Sequence, residues 1–274
     1  MAQLHQPRLA DIIAARLRSD ILSGRYQEGE VLDIAGGVFE DFSVSLPAMR
    51  EAVRVLENDG LLRTRRGSVG GAVVQLPTPR RIGEVIAMVL QARRTEPADV
   101  GRALAHLEPI CASMCAERPD RHVSVVPDLR RIIKSQRDQL DDRSAYMSNA
   151  RAFHDGIVEH CGSETMVVAA GALEVIWSAH AATLYTGDVP GAADEDLEPR
   201  LASAVDQHER VVDAIDAGDG ELAARLLREH IAFTQRHEPN NVVLDVVDAS
   251  LIADYPGGVA GHPPAGATAR EGLD

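Results

Sequence analysis

Five arginines in the first third of the chain are spaced for contact with a nucleic acid. They are Arg50, Arg54, Arg63, Arg65 and Arg66. Arg50 and Arg54 are four residues apart, so a helix would place both on one face. The other three lie in a 21-residue stretch, 60–80, that contains no acidic residue. Because the guanidinium group is planar and forked, it suits phosphate oxygens and guanine edges. The alternatives are a solvated helix face and ordinary strand-edge charges.

A helix must present the first two arginines, and the pattern predicts one between Ser45 and Gly60. Its apolar stripe is formed by Leu46, Met49, Val53 and Leu56, which recur at a helical period. Ser45 is a suitable N-cap residue, and Pro47 is tolerated in the first helical turn. Gly60 is expected just past the helix end.

The neighbouring segments predict a helix-turn-helix with a wing. A first helix is expected from about Asp33 to Phe42, and a turn at residues 43–45 separates it from the arginine-bearing helix. Residues 61–65 and 72–74 predict two short strands, with the segment 66–71 as their connecting tip. This arrangement places a helix in the major groove of DNA while the wing holds phosphates. The predicted DNA contacts are Ser45, Arg50, Arg54, Arg63, Arg65, Arg66 and Gly70.

This region resembles the GntR family of bacterial transcription regulators. The resemblance is carried by LDIAGGVFEDFSVSLPAMREAV, then RVLENDGLL, then RTRRGSVGGAVV. Its V-S, R-E-A, L-E-x-x-G-L and G-G-x-x-V elements match together and without gaps. Two positions depart from the family: Gly36 replaces a basic residue, and Leu46 replaces the arginine after V-S. Arg50 is retained, so the resemblance implies DNA binding with an unusual target sequence or low affinity.

The charge distribution restricts DNA binding to the first part of the chain. The 274 residues carry a net charge of -14, yet residues 1–80 hold ten arginines and ten acidic residues. The whole excess of negative charge therefore lies beyond residue 80, where it would repel DNA. Aromatic residues make up only 3%, so an aliphatic core is expected and base-stacking platforms for single strands are not.

The cysteines and the apolar runs indicate a reducing cytoplasm. Cys111, Cys115 and Cys161 lack the spacing of a zinc site or a disulfide framework. Cys111 and Cys115 are expected to be small buried side chains on one helix face. We expect no signal segment and no membrane span.

The pattern predicts a mainly α protein with two domains. Residues 1–77 form a winged helix-turn-helix with a small β-hairpin wing, preceded by an amphipathic helix at 8–23. Residues 78–237 form an all-α bundle of six or seven helices, because helical periodicity and glycine or proline breaks alternate throughout. Residues 238–274 are expected to be mostly disordered, with one short docking element within 242–251.

The bundle resembles the ligand-sensing FCD domain of the FadR subfamily of GntR regulators. The resemblance runs from about Ala98 to His237. It is carried by Leu107-Glu108-Pro109, by Ala152-Phe153-His154 with Gly162, and by the two late histidines, His208 and His230. In the family, effector recognition involves positions that here are Leu104, Glu108, Ala150 and Arg151.

The same resemblance implies a divalent metal, such as zinc, nickel or manganese, bound by His154, His208 and His230. Three imidazoles leave open positions for water or a ligand carboxylate. The family's aspartate ligand is replaced by Ala150, and its effector-binding arginine by Leu104, so the site is incomplete and more apolar. Each histidine also has a plainer interpretation as a hydrogen-bonded core residue on an apolar helix face.

Together these features predict a ligand-responsive transcription regulator rather than an enzyme. We expect a cytoplasmic homodimer on a palindromic DNA operator, with a carboxylate or fatty-acyl effector in the helical domain. Two alternatives remain at this point. One is a metal-dependent hydrolase that uses the three-histidine pocket, and the other is a degenerate regulator that acts through protein partners.

Overall fold

The computed structural model describes residues 8–33, 44–65, 71–141, 143–186, 197–236 and 245–254. Contacts between residues divide the chain into two units, Met1–Pro77 and Thr78–Asp274.

The first unit contains a helical layer and a small antiparallel sheet. Its elements are α1 (Leu9–Leu22), β1 (Val31–Leu32), α2 (Leu46–Asn58), β2 (Leu62–Thr64) and β3 (Ala72–Val74). The strand order is β1-β3-β2, with Val73 opposite Val31 on one side and Arg63 on the other. The core joins Leu17, Leu32 and Leu56, none of which is exposed. Burial of these aliphatic side chains holds α1 and α2 on the sheet.

The sheet has one strand more than the sequence analysis predicted. Residues 31–32, to which the sequence analysis assigned no strand, pair with β3. Gly71 permits this close approach, because a Cβ atom there would lie 3.1 Å from the Leu32 carbonyl oxygen. The predicted first helix of the motif, from Asp33 to Phe42, lies almost wholly outside the described residues, as does the wing tip at 66–70.

Both ends of α2 lie where the sequence placed them. Ser45 is the N-cap residue, although its side chain makes no capping hydrogen bond. At the other end, Gly60 has a φ of 74° and the Leu61 N–H donates to the Leu56 carbonyl at 2.9 Å. This pairing closes the helix with a left-handed glycine.

The described residues of the second unit form helices and the connections between them, with no strand. Its helices are α3 (Pro79–Ala92), α4 (Pro97–Glu117), α5 (Arg121–Ser124), α6 (Val126–Arg137), α7 (Arg143–Glu159), α8 (Glu164–Thr186), α9 (Leu197–Ala217), α10 (Gly220–Arg236) and α11 (Ser250–Asp254). The seven long helices agree with the six or seven that the sequence pattern predicts. The short helices α5 and α11 were not predicted, because four or five residues are too few to show a helical period.

Two apolar clusters form the core of this unit. The larger one joins α4, α6, α7, α9 and α10, and Phe153, Ile157 and Leu227 are fully buried in it. Cys111 and Cys115 also belong to it and are fully buried, as expected. The smaller cluster joins α3, α4 and α8 around Leu104. The larger cluster carries the candidate site.

The segment 245–254, here called the C-terminal segment, packs on the helical unit. The sequence pattern ends this domain at residue 237 and allows one short docking element within 242–251 of a tail that is otherwise expected to be disordered. Val247 and Ile252 are fully buried in the smaller cluster. The docked segment overlaps the expected element and extends beyond it to residue 254, while residues 255–274 lie outside the described residues.

Helix α8 contains the one run among the described residues that is long and apolar enough to cross a membrane. Residues Glu164–Thr183 have a mean hydropathy of 1.3 over 20 residues, long and apolar enough to cross a bilayer. More than half of the run is buried inside the protein. Its polar residues Glu174, Ser178 and His180 are buried as well. This is the environment of a helix in a protein core.

Candidate functional site

The predicted DNA-contacting side chains of α2 lie on its exposed face. Met49, Val53 and Leu56 are buried against the rest of the unit. Arg50 and Arg54 therefore point away from the core, and both are exposed. Arg54 lies 3.7 Å from Glu51, while Arg50 has no ion-pair partner among the described residues.

The wing extends this basic surface. Arg63 and Arg65 are exposed on and beside β2, and neither forms an ion pair with another described residue. Ser45 is exposed at the start of α2, and its hydroxyl is not used in capping. Arg66 and Gly70, the other two predicted contacts, lie outside the described residues. The described part of the unit thus presents four exposed arginines on or near a helix of the kind that enters the major groove of DNA.

The three predicted histidine ligands meet in the larger cluster of the second unit. His154 comes from α7, His208 from α9 and His230 from α10, and one ring nitrogen of each lies within 4.8 Å of the others. The Nε2 atoms of His208 and His230 are 2.9 Å apart. His208 stacks on Phe153, with ring centroids 3.9 Å apart. The cluster is therefore a packed feature of the core.

Oxygen acceptors on the opposite side of each ring orient the three imidazoles. The Nδ1 atoms of His154, His208 and His230 face Glu108 Oε2 (2.5 Å), Gln136 Oε1 (2.9 Å) and Gln207 Oε1 (3.2 Å), respectively. The Gln136 amide is itself fixed, since its Nε2 donates to the Asn149 carbonyl at 2.8 Å. His208 therefore donates through Nδ1, which leaves a lone pair on Nε2.

The contact between His208 and His230 needs either a proton or a cation between the rings. Because His208 Nε2 is an acceptor, a neutral His230 can satisfy this contact with its Nε2–H only by giving up donation from Nδ1 to Gln207 Oε1. Otherwise two lone pairs face each other at 2.9 Å. A divalent ion with ligand distances of about 2.0–2.1 Å separates two imidazole nitrogens by a comparable distance. Orienting acceptors on the remote nitrogens are the usual surroundings of such ligands.

Burial keeps the three histidines neutral. It lowers the pKa of His154, lowers that of His208 well below its ordinary value, and lowers that of His230 to about 3. The nearby imidazoles add to the effect for His208 and His230. Only a neutral imidazole binds a metal ion, so the cluster is in the ligating form at neutral pH. The residues present therefore fit a divalent metal.

A group of buried carboxyls lies beside His154. Burial raises the pKa of Glu108 to about 7 and that of Asp155 to about 7, and raises that of Glu174 well above its ordinary value. A protonated Glu174 donates a hydrogen bond to Glu108, which in turn accepts from His154. Glu174 and Glu108 thus form a chain that ends on His154, one of the candidate ligands.

The four predicted effector residues do not all share one place. Glu108 contacts His154 directly, and the half-buried Ala150 packs against the larger apolar cluster of this unit. Arg151 donates through Nη2 to the Ser178 carbonyl at 2.9 Å. Leu104, however, lies in the smaller cluster with Val175 and Ile252. A direct part in the histidine site is therefore supported for Glu108 but not for Leu104.

Three residues of this site were missed from the sequence. Gln207 precedes His208 in the motif that carried the resemblance, and Glu174 is a lone acid within an apolar helix; both were visible signals. Gln136 lies 72 residues before the histidine that it orients. No feature of the sequence around Gln136 predicts its role, because an amide side chain on an amphipathic helix is normally exposed.

Comparison with known proteins agrees with both units. Residues 9–73 match the model of the bacterial regulatory proteins of the gntR family, and residues 99–233 match the FCD domain model. The chain belongs to the GntR family. Its helical unit is an FCD domain, as the sequence resemblance predicted. A GntR chain with this domain is a ligand-responsive, DNA-binding transcription regulator, so the hydrolase alternative is not favoured.

Individual relatives are similar over most of their length. The transcriptional repressor NanR of Salmonella newport is 24% identical over 237 residues, which cover 83% of this chain and 84% of the relative. NanR of Salmonella arizonae is also 24% identical, over 83% of each chain. The solved structure of Streptococcus agalactiae GntR superimposes with a TM-score of 0.62 at 18% identity, covering 83% of this chain and 99% of that one. This last likeness concerns the fold.

Proposed function

We propose that α2 is the recognition helix of this regulator and that Arg50 reads a base edge in the major groove. The support is its position: it is exposed, outside the buried stripe of α2, and has no ion-pair partner among the described residues. A bidentate arginine–guanine pair contributes about 1–3 kcal/mol of discrimination. Arg54, Arg63, Arg65 and Ser45 surround it as phosphate contacts, and Arg66 and Gly70 complete the wing.

We further propose that the protein acts as a homodimer on a palindromic operator. One recognition helix reads a single half-site, which is too short for specificity in a genome. Two helices related by a two-fold axis read a palindrome. The two NanR relatives are transcriptional repressors, and we propose repression in the cytoplasm for this FadR-type chain as well.

The effector is proposed to bind at the histidine cluster together with a divalent metal. His154, His208 and His230 would hold the ion, with Glu108, Gln136 and Gln207 as their orienting partners. The ion would supply a positive charge in a buried site, which attracts the oxygen atoms of a carboxylate or acyl effector. Ala150 leaves the position of the family's aspartate without a carboxylate, so the effector's own oxygen serves as the acidic donor. Zinc, nickel and manganese all suit imidazole and oxygen donors.

Selection of sheared genomic DNA by the purified protein tests this function. The wild-type protein is expected to enrich fragments that share one palindromic site, and the Arg50→Ala variant is expected to enrich none. Arg18→Ala is the matched control in the same unit, because Arg18 is held by an ion pair with Asp59. Equal enrichment by wild type and Arg50→Ala would disprove the role of Arg50. Absence of enrichment by the wild type at low salt would support the degenerate regulator instead.

A further inference from the structure

The C-terminal segment contacts the helix that begins just after the DNA-binding unit. Helix α3 begins at Pro79, two residues after the first unit ends at Pro77. Arg80, in its first turn, donates through Nη2 to the Ile252 carbonyl at 2.6 Å. The segment is therefore attached to the end of α3 that leads into the DNA-binding unit.

Three consecutive N–H groups, from Val247 to Ala249, hold the other end of the segment. Their acceptors are Thr95 O (2.8 Å), His180 Nε2 (2.9 Å) and Gln91 Oε1 (3.2 Å), in that order. Gln91 and Thr95 lie at and beyond the far end of α3, while His180 belongs to α8. The segment thus spans α3 along its length and ties it to α8.

Few interactions hold these ten residues in place. Among the side chains described in this segment, Val247 and Ile252 are fully buried, and Ala249 and Leu251 pack against the same cluster while partly exposed. Helix α11 has five residues, and a helix of that length has no stability of its own in water. Ordering a backbone of ten residues opposes docking, and these few apolar side chains offset that cost only in part. Such a balance makes the segment a separable element of the fold.

His180 is the polar group on which docking depends. Its Nδ1–H donates to the Ile176 carbonyl at 2.7 Å, so its Nε2 must be an acceptor for the Asp248 N–H. A protonated ring would carry a second N–H, aimed at that N–H group. Burial lowers the pKa of His180, which favours the neutral form that docking requires.

The surroundings of His180 contain few charges. The segment contributes Asp248, whose carboxylate opposes the effect of burial on the His180 pKa only in part. Helix α3 contributes the neutral amide of Gln91 and, near its start, the Arg80–Glu84 ion pair. Helix α4 presents Val100 and Leu104 to the shared cluster. On the α7 side, Arg151 donates to the Ser178 carbonyl.

We propose that the C-terminal segment is a detachable clasp on α3, that His180 is its acceptor, and that release of the clasp weakens DNA binding. While docked, the segment fixes the helix from which the DNA-binding unit extends. When the segment is released, the first turn of α3 loses the hydrogen bond between Arg80 and Ile252. Binding to DNA must then restrict a more mobile α3, which costs more conformational entropy. The loss of DNA affinity on release rests on the DNA-binding function proposed above, whereas the docking of the segment does not rest on it.

Hydrogen–deuterium exchange of residues 247–249 in the full-length protein tests docking. Arg80→Ala and Ile252→Ala are expected to lower the protection of these amides at least tenfold at pH 7.5. Arg81→Ala is the matched control, because the neighbouring arginine pairs with Glu84 and not with the segment. Protection in Arg80→Ala equal to that in Arg81→Ala would overturn the clasp.

The pH profile of the same amides tests the role of His180. The docked pKa lies below the undocked value of about 6.5. Docking is therefore complete above that pH, and protection, corrected for intrinsic exchange, falls up to about tenfold per pH unit below it. His180→Gln keeps an acceptor but removes the titration, so its protection is expected to stay level. A flat profile in the wild type would overturn the assignment of His180, whether or not the variant folds.

Affinity for duplex DNA tests the coupling. Arg80→Ala and Ile252→Ala are expected to bind the selected site at least threefold more weakly than Arg81→Ala. Ile252→Ala removes no charge, so its effect cannot come from lost attraction to phosphate. Unchanged affinity in both variants, with lowered amide protection, would overturn the coupling. Failure of the wild type to bind DNA would instead disprove the proposed function.

Discussion

The salt dependence of DNA binding measures the contribution of the wing. Arg63 is exposed and forms no ion pair with another described residue, so it is available for one phosphate. Each phosphate neutralised adds about 0.9 to the slope of log affinity against log salt. In the proposed dimer, Arg63→Ala should reduce the slope by about 1.8. Between 50 and 200 mM salt, wild-type affinity should then fall about 12-fold further than that of the variant.

Fluorescence anisotropy with a labelled duplex, titrated at four or five salt concentrations, gives this slope. Arg18→Ala controls for the loss of one positive charge, because Arg18 Nε already lies 3.1 Å from Asp59 Oδ2. Its slope should match that of the wild type. The same slope in Arg63→Ala and wild type, or an equal change in both variants, would refute the assignment of the wing to phosphate contact.

Three further predictions concern the helical unit. Zn²⁺ at 100 times its dissociation constant should stabilise the wild type by about 2.7 kcal/mol. The measurement is the rise in Tm, which a chelator should reverse. His208→Ala should abolish this rise, whereas the control variant His106→Ala, at an exposed histidine, should keep it. Burial raises the pKa of Glu108 from 4.5 to about 7, so its proton is bound more tightly in the folded state. The free energy of unfolding should therefore fall by up to about 3 kcal/mol as pH rises from 4.5 to 7, and urea titrations of Glu108→Gln should show less of this fall. Phe153→Ala, which empties a fully buried site, should lower that free energy by about 3–5 kcal/mol in the same assay.

The sequence predicted the long helices well because each carries its own signal. An apolar stripe at a 3.6-residue period and a capping or breaking residue at each end are local features. Strand β1 was missed for the opposite reason. Its two residues have no period, and they pair only because Gly71 lets β3 come close.

The candidate site was predicted through its histidines but not through their partners. The resemblance to the FCD domain implied that His154, His208 and His230 share one site, and the structure brings them together. Gln136 becomes part of the site only through the packing of α6 against α9, which no spacing in the sequence encodes. The docking of the C-terminal segment is likewise a tertiary event, determined by two buried residues and by acceptors more than 60 residues away.

The most direct test of the account is the ratio of specific to nonspecific DNA affinity in Arg50→Ala. One arginine–guanine pair in each half-site contributes about 1–3 kcal/mol. Its loss from both half-sites should bring affinity for the selected palindrome close to that for a scrambled duplex. Binding to the scrambled duplex should change little. A ratio equal to that of the wild type would contradict the claim that α2 reads DNA sequence through Arg50.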